Sequence, residues 1–161
     1  MLSGSLYYYI DTKEDLLFAL IAEFHGRGRD AIAAAEAEVD DDPLTILGAV
    51  IERSIALNAR HGARTAVFHN DFRHLSDDRK QEIVVNRRAH EAHVEGLIRS
   101  AQREGLVRRS IDPRLATLSI LSMVNSIHHW CRPDKKLTPE ELGRFQADLL
   151  IGGLASKDSD R

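Results

Sequence analysis

The chain has 161 residues, 43% hydrophobic and 29% charged, enough for one domain with a sizeable core and too apolar for a disordered tail. Its 22 Lys and Arg against 25 Asp and Glu leave a formal charge of −3, which argues against a free-standing nucleic-acid binder with a basic surface. A lone cysteine, Cys131, excludes an intramolecular disulfide and a cysteine-rich zinc site, no apolar run reaches membrane-spanning length, and a reducing cytoplasm is the expected compartment.

Helices are expected throughout. Ser3, Gly4 and Ser5 would form the first turn of a short one, where small side chains let a helix N-terminus approach a groove or phosphate closely. Leu6 and Ile10 share its buried face, with Tyr7 close to the same side. The hydroxyls of Tyr7 and Tyr8 and the ammonium of Lys13 are ordinary phosphate partners, which fix register without reading sequence. Asp11-Thr12 ends this helix, and Thr12 caps a long one carrying Leu16, Leu17, Leu20, Ile21 and Phe24, with an alanine-rich tail at 31–37. Asp42-Pro43 starts the next, which runs to Gly62 with Leu44, Leu47, Val50, Ile51 and Ile55 on its apolar side. A short amphipathic piece with Val67, Phe68 and Phe72 closes near Leu75. Ser76 opens the longest helix, stopped by Gly105. Asp112-Pro113 repeats the cap-plus-proline start for a helix ending near Trp130. Thr138-Pro139-Glu140-Glu141 is a capping box for the last, expected to fray at Gly152-Gly153. The polar tail 156–161 reads as disordered.

Eight histidines make metal binding a reading to weigh. His69, Asp71 and His74 lie on the short piece, and His90 and His93 share a face of the longest helix; if the two elements cross, imidazoles and a carboxylate could meet at a divalent cation. The spacing carries no His-Glu-x-x-His signature, so these residues read first as polar pocket or structural groups, and no metal or other cofactor is expected. A pocket is expected between the 67–72 piece, the longest helix and the helix ending at Trp130. Phe68, Phe72, Met123, Ile127 and Trp130 would line it, with Arg87 and His90 as the polar groups that orient a ligand. No nucleophile elbow and no glycine-rich phosphate loop occurs, so the chain is not expected to be an enzyme.

The run Gly4-Ser5-Leu6-Tyr7-Tyr8-Tyr9-Ile10 followed by Lys13-Glu14-Asp15-Leu16-Leu17 resembles the end of the helix-turn-helix in TetR-family transcriptional regulators. It departs from the family pattern in Leu2, Ser3 and Ile10, where a serine, a lysine and an aromatic are usual. The order of elements that follows is also similar to that family's. The resemblance implies an all-α, TetR-like helical bundle, with residues 1–24 a remnant of the DNA-binding domain and the start of its connector helix. Residues 25–155 would form a ligand-binding and dimerisation domain. Two further helices precede this motif in the family, so the chain as written is expected not to bind an operator with specificity.

The same resemblance implies a repressor with operator DNA and a small-molecule effector as partners, and no membrane. The stretch from Asn125 through Trp130, with the Thr138 capping box, is similar to the branch responding to acyl-coenzyme A thioesters in fatty-acid or sterol catabolism. A homodimer is implied through the last two helices, with Leu118, Ser122, Ser126, Phe145, Leu149 and Gly152 as interface candidates. A metal-binding helical protein and a helical interaction module remain as alternatives.

Overall fold

The computed structural model describes residues 10–39, 42–131 and 137–156, apart from the side chains of Phe68 and His69. The described residues form α1 (Lys13–Glu38), α2 (Pro43–Arg60), α3 (Gly62–Asp71), a 3-10 turn at Phe72–His74, α4 (Asp77–Arg103), α5 (Pro113–Trp130) and α6 (Pro139–Leu154). Short-range chemistry sets most of the boundaries. Thr12 Oγ1 accepts from the Asp15 N–H at 3.1 Å while the Asp15 carboxylate accepts from the Thr12 N–H at 2.8 Å, closing a capping box on α1. Asp42 and Asp112 accept the first amides of α2 and α5, each with proline at the first helical turn. Thr138 and Glu141 repeat the reciprocal box on α6. Gly105, at φ 79°, takes the left-handed conformation that ends α4.

Ser76 behaves differently from the expected cap. Its side chain caps nothing; its N–H instead donates to Glu14 Oε1 on α1 at 2.8 Å. The expected fraying at Gly152-Gly153 also does not occur. The helix continues to Leu154, which is buried, because Arg108 N–H donates to the Leu154 carbonyl and Ser156 N–H to the Leu106 carbonyl. Val107 and Ala155 pair in an antiparallel bridge at the same place. Residues 157–161 of the expected disordered tail lie outside the described residues; Ser156 does not, and it is held.

Two apolar clusters organise the bundle. The larger joins Leu47, Ile51 and Ile55 of α2 to Val94 and Ile98 of α4, Ile120, Val124 and Ile127 of α5, and Leu142 and Leu154 of α6. The smaller joins Ile21 of α1 to Leu75 and Ile83 at the start of α4, with Leu17, Phe18, Phe24 and Phe72 packed around them. Helix α6 lies so close on α2 that a Cβ at Gly143 would overlap the backbone carbonyl of Glu52. Gly143→Ala is therefore expected to cost about 1–3 kcal/mol by overpacking. Gly96→Ala, where no atom stands within 4 Å of the added methyl, should stabilise by about 0.5–1 kcal/mol through helix propensity alone. Urea denaturation of the two variants checks both signs.

Candidate functional site

A cavity of about 660 Å³ opens between α1, α2, α4 and α5. Helix α1 presents Phe24, His25, Gly28 and Ile32 to it at helical spacing, with Arg29 beside them; α2 adds Ser54, Leu57 and Asn58. Helix α4 contributes Asn86, Arg87, His90 and Glu91, and α3 contributes Asn70. From α5 come Leu118, Leu121, Ser122 and Asn125, then His129 one turn further on. The wall is thus part hydrocarbon and part amide, hydroxyl and cation, at a size suited to a drug-sized ligand. Asn58 Nδ2 donates to the Val124 carbonyl at 2.8 Å and ties α2 to α5 at the cavity floor. His128 Nδ1 donates to the Asn125 carbonyl at 2.7 Å, and the His128 and His129 rings lie 3.9 Å apart between centroids. The Arg87 guanidinium stacks over the Phe72 ring at 4.7 Å.

Electrostatics give the cavity a sign. Burial, then the charges of Arg87, Arg29 and His90, holds His25 down to about 4. Burial also lowers His90, with His93 adding to the effect and Glu91 opposing it. Burial lowers Arg87 too, partly offset by Glu91. At neutral pH His25 is therefore uncharged, the two guanidiniums outnumber the lining carboxylate of Glu91, and the field that repels a proton from His25 favours an anion. Below its ordinary 6.5 the unfolded chain protonates at His25, whereas the folded chain refuses that proton until about pH 4. The group's contribution to stability is complete above 6.5 and is lost progressively as pH falls toward 4. His25→Gln should flatten that decline, as urea midpoints compared between about pH 7 and about pH 5 would register.

Of the residues expected to bind a ligand, Arg87 and His90 face the cavity. Four others do not. Ile127 is 1% exposed in the main core, and Phe72 packs in the smaller cluster with Ile21 and Ile83. Met123 lies off the lining and Trp130 is 53% exposed at the end of α5. Helix α5 is apolar on more than one side, so its cavity face could not be chosen from spacing alone; residues 118, 121, 122, 125 and 129 border the cavity, with 118, 122, 125 and 129 still exposed. Leu118, Ser122 and Ser126, expected at a dimer interface, also border the cavity, and Leu118 and Ser122 remain exposed. The side chain of Phe68 lies outside the described residues.

The cavity groups that spacing reasoning missed include His25 and Arg29 on α1, Asn58 on α2 and Asn125 on α5. Their signal was present as polar pairs on otherwise buried elements: His25 and Arg29 four apart, Ser54 and Asn58 four apart.

The histidine cluster does not assemble. Among the described residues no group of three His, Cys, Asp or Glu side chains could hold a metal ion. His93 Nε2 sits 2.8 Å from Glu36 Oε1, His74 Nε2 accepts from Arg73 Nε at 3.2 Å, and His90 lines the cavity. Asp71 ends α3 apart from them, and the side chain of His69 lies outside the described residues. Of the DNA-contact candidates, Lys13 is exposed at the first residue of α1; Ser3, Gly4, Ser5, Tyr7 and Tyr8 lie outside the described residues. Phe145 and Leu149 point outward at 64% and 56% exposure, and Gly152 is open on the same side. No helix of the described residues is long and apolar enough to cross a membrane.

Residues 40–154 match the family model described as tetracyclin repressor-like, C-terminal domain. The chain is 25% identical over 162 residues to the HTH-type transcriptional repressor KstR2 of Rhodococcus jostii, covering 97% of this chain and 76% of that protein. Its backbone superposes on the ketosteroid transcriptional regulator KstR2 of Mycobacterium tuberculosis with a TM-score of 0.84, at 22% identity and coverage of 98% and 80%. It is also similar to AibR, solved in complex with isovaleryl coenzyme A and operator DNA, with a TM-score of 0.75, 26% identity and coverage of 93% and 78%.

Proposed function

From the premise that the chain belongs to the tetracyclin repressor-like family, the TetR transcriptional regulators, we propose that its effector is a small amphipathic anion bound in the cavity between α1, α2, α4 and α5. It is a ligand-responsive repressor rather than an enzyme, with operator DNA and a second copy of itself as partners. The metal-binding alternative has no support. A cytoplasmic location is the reading that goes with this work.

One observation carries the effector class: Arg29 and Arg87 stand at a cavity whose remaining wall includes Phe24, Ile32, Leu57, Leu118 and Leu121. A carboxylate or a phosphate of a coenzyme A head would pair with the guanidiniums, and a hydrocarbon body would cover the apolar side. Isovaleryl coenzyme A, the molecule bound to AibR, has this layout and is the first probe to try. Effector and operator would oppose each other by linkage, each weakening the other's binding by the same factor.

Calorimetry with isovaleryl coenzyme A, octanoyl coenzyme A, a steroid carboxylic acid and a neutral alcohol of matched hydrocarbon tests the reading. At least one anion should bind about tenfold or more tightly than the neutral control, as one charge-assisted hydrogen bond provides. Equal affinity for anions and alcohol would overturn it.

A further inference from the structure

Along one face of α4, Arg79, Ile83 and Arg87 recur at four-residue intervals, and each touches a different part of the structure. Arg87 lines the cavity and stacks on Phe72. Ile83 is buried in the smaller apolar cluster with Ile21 and Leu75, and Phe24 belongs both to that cluster's margin and to the cavity wall. Arg79 leaves the cluster at its other end, with its guanidinium 5.1 Å from the centroid of the Phe18 ring. There it hydrogen-bonds Asp15 and pairs with Glu14 at 3.5 Å.

These two carboxylates are the first turn of α1, and both do a second job. Asp15 closes the Thr12 capping box, and Glu14 accepts the Ser76 N–H at the start of α4. The Arg79 and Thr12 hydrogen bonds hold Asp15 well down, to about 2, so it stays ionised wherever the protein is folded near neutrality.

We propose that Arg79 is a positioning residue that passes the state of the cavity to the first turn of α1. The inference rests on the reading of that cavity as the effector site. An anion drawing Arg87 away from the Phe72 ring alters the packing around Ile83, which a dense cluster cannot absorb smoothly. The displacement reaches Arg79 two turns along the same helix, and Arg79 is clamped to Asp15 and Glu14. In the sequence that turn directly follows the 5–10 segment that resembles the end of a recognition helix, so its position bears on DNA engagement. Arg79 itself does not line the cavity. The affinity for effector and the response to effector can therefore be separated by mutation.

Amide hydrogen exchange at residues 13–18, read alongside calorimetry, makes the test. In the wild type, isovaleryl coenzyme A should change exchange of these amides by about fivefold or more, at the low end of ordinary coupling. In Arg79→Met the same ligand should bind with affinity within about twofold of wild type, while the ligand-induced change disappears. A merely structural arginine would raise exchange equally with and without ligand, leaving the difference intact. An unchanged response in Arg79→Met, or a loss of ligand affinity as large as the loss of response, overturns the proposal.

Should isovaleryl coenzyme A fail to bind the wild type, a ligand-free arm still decides. Arg87→Met alone should alter exchange at 13–18 in the wild-type background and leave it unaltered in the Arg79→Met background. Equal effects in both backgrounds would exclude transmission through Arg79, whatever the effector proves to be.

Discussion

Replacing Arg87 by methionine is expected to weaken binding of the anionic effector by about 10- to 100-fold, since a hydrogen bond to a charged group contributes about 1.5–3 kcal/mol. Methionine keeps most of the side chain's hydrocarbon length and removes the guanidinium that stacks on Phe72. The fold should therefore tolerate the change, and relief from holding a half-buried cation can offset the lost stacking. A second readout is independent of any ligand. After burial, Arg87 is the largest cause of the depressed His25, so its removal should raise the His25 titration from about 4 toward, but not to, its ordinary 6.5. Calorimetry and an NMR titration of the imidazole protons measure the two effects. Undiminished affinity together with an unmoved His25 would remove Arg87 from the site.

A comparably large effect is expected at the outer face of α6. Leu142, Ala147 and Leu154 turn inward, yet Phe145, Leu149 and Gly152 form a second stripe at i, i+4 and i+7 that is open to solvent. Leu115 of α5, 65% exposed, adds to the uncovered apolar surface. A single amphipathic stripe is enough to anchor a helix, so the second one asks for a partner, and two-fold self-association lets one patch cover its own copy. Leu149→Glu would bring two uncompensated carboxylates into that interface, each costing several kcal/mol, or roughly a thousandfold or more in the dimer dissociation constant. Sedimentation at micromolar concentration should give a dimer for the wild type and monomer or aggregate for the variant. A wild-type mass of one subunit would contradict the interface.

Where the physics is local, it could be read directly from the chain. The Asp42-Pro43, Asp112-Pro113 and Thr138-Pro139-Glu140-Glu141 starts are where the structure places α2, α5 and α6, because caps and prolines act within one helical turn. Gly105 likewise ends α4 through its own backbone freedom. Features that depend on which helix lies opposite could not be read. Helix α5 offers Ile127, Met123 and Trp130 on different sides, all apolar, and only its packing on α2, α3 and α4 decides that Ile127 is core and Trp130 exposed. Ser76 had the composition of a cap, but Glu14, 62 positions away, takes its amide. The C-terminal end of α6 is settled by Leu106 and Arg108 rather than by the helix propensity of Gly152 and Gly153. Most of the cavity's polar groups went unrecognised for a related reason. His25 and Arg29 stand on α1, and their role emerges only when α4 brings Arg87 and His90 alongside.

The central claim is that an anionic amphiphile occupies the cavity between α1, α2, α4 and α5, and the imidazoles of His25 and His90 report on it from within. Their proton resonances, assigned by His25→Gln and His90→Gln, should move on titration with isovaleryl coenzyme A, octanoyl coenzyme A or the steroid acid, both with the dissociation constant found by calorimetry. His74, exposed on the 3-10 turn and absent from the cavity lining, should stay in place. Shifts confined to His74 and other histidines away from the cavity, with His25 and His90 unmoved at saturation, would contradict the account.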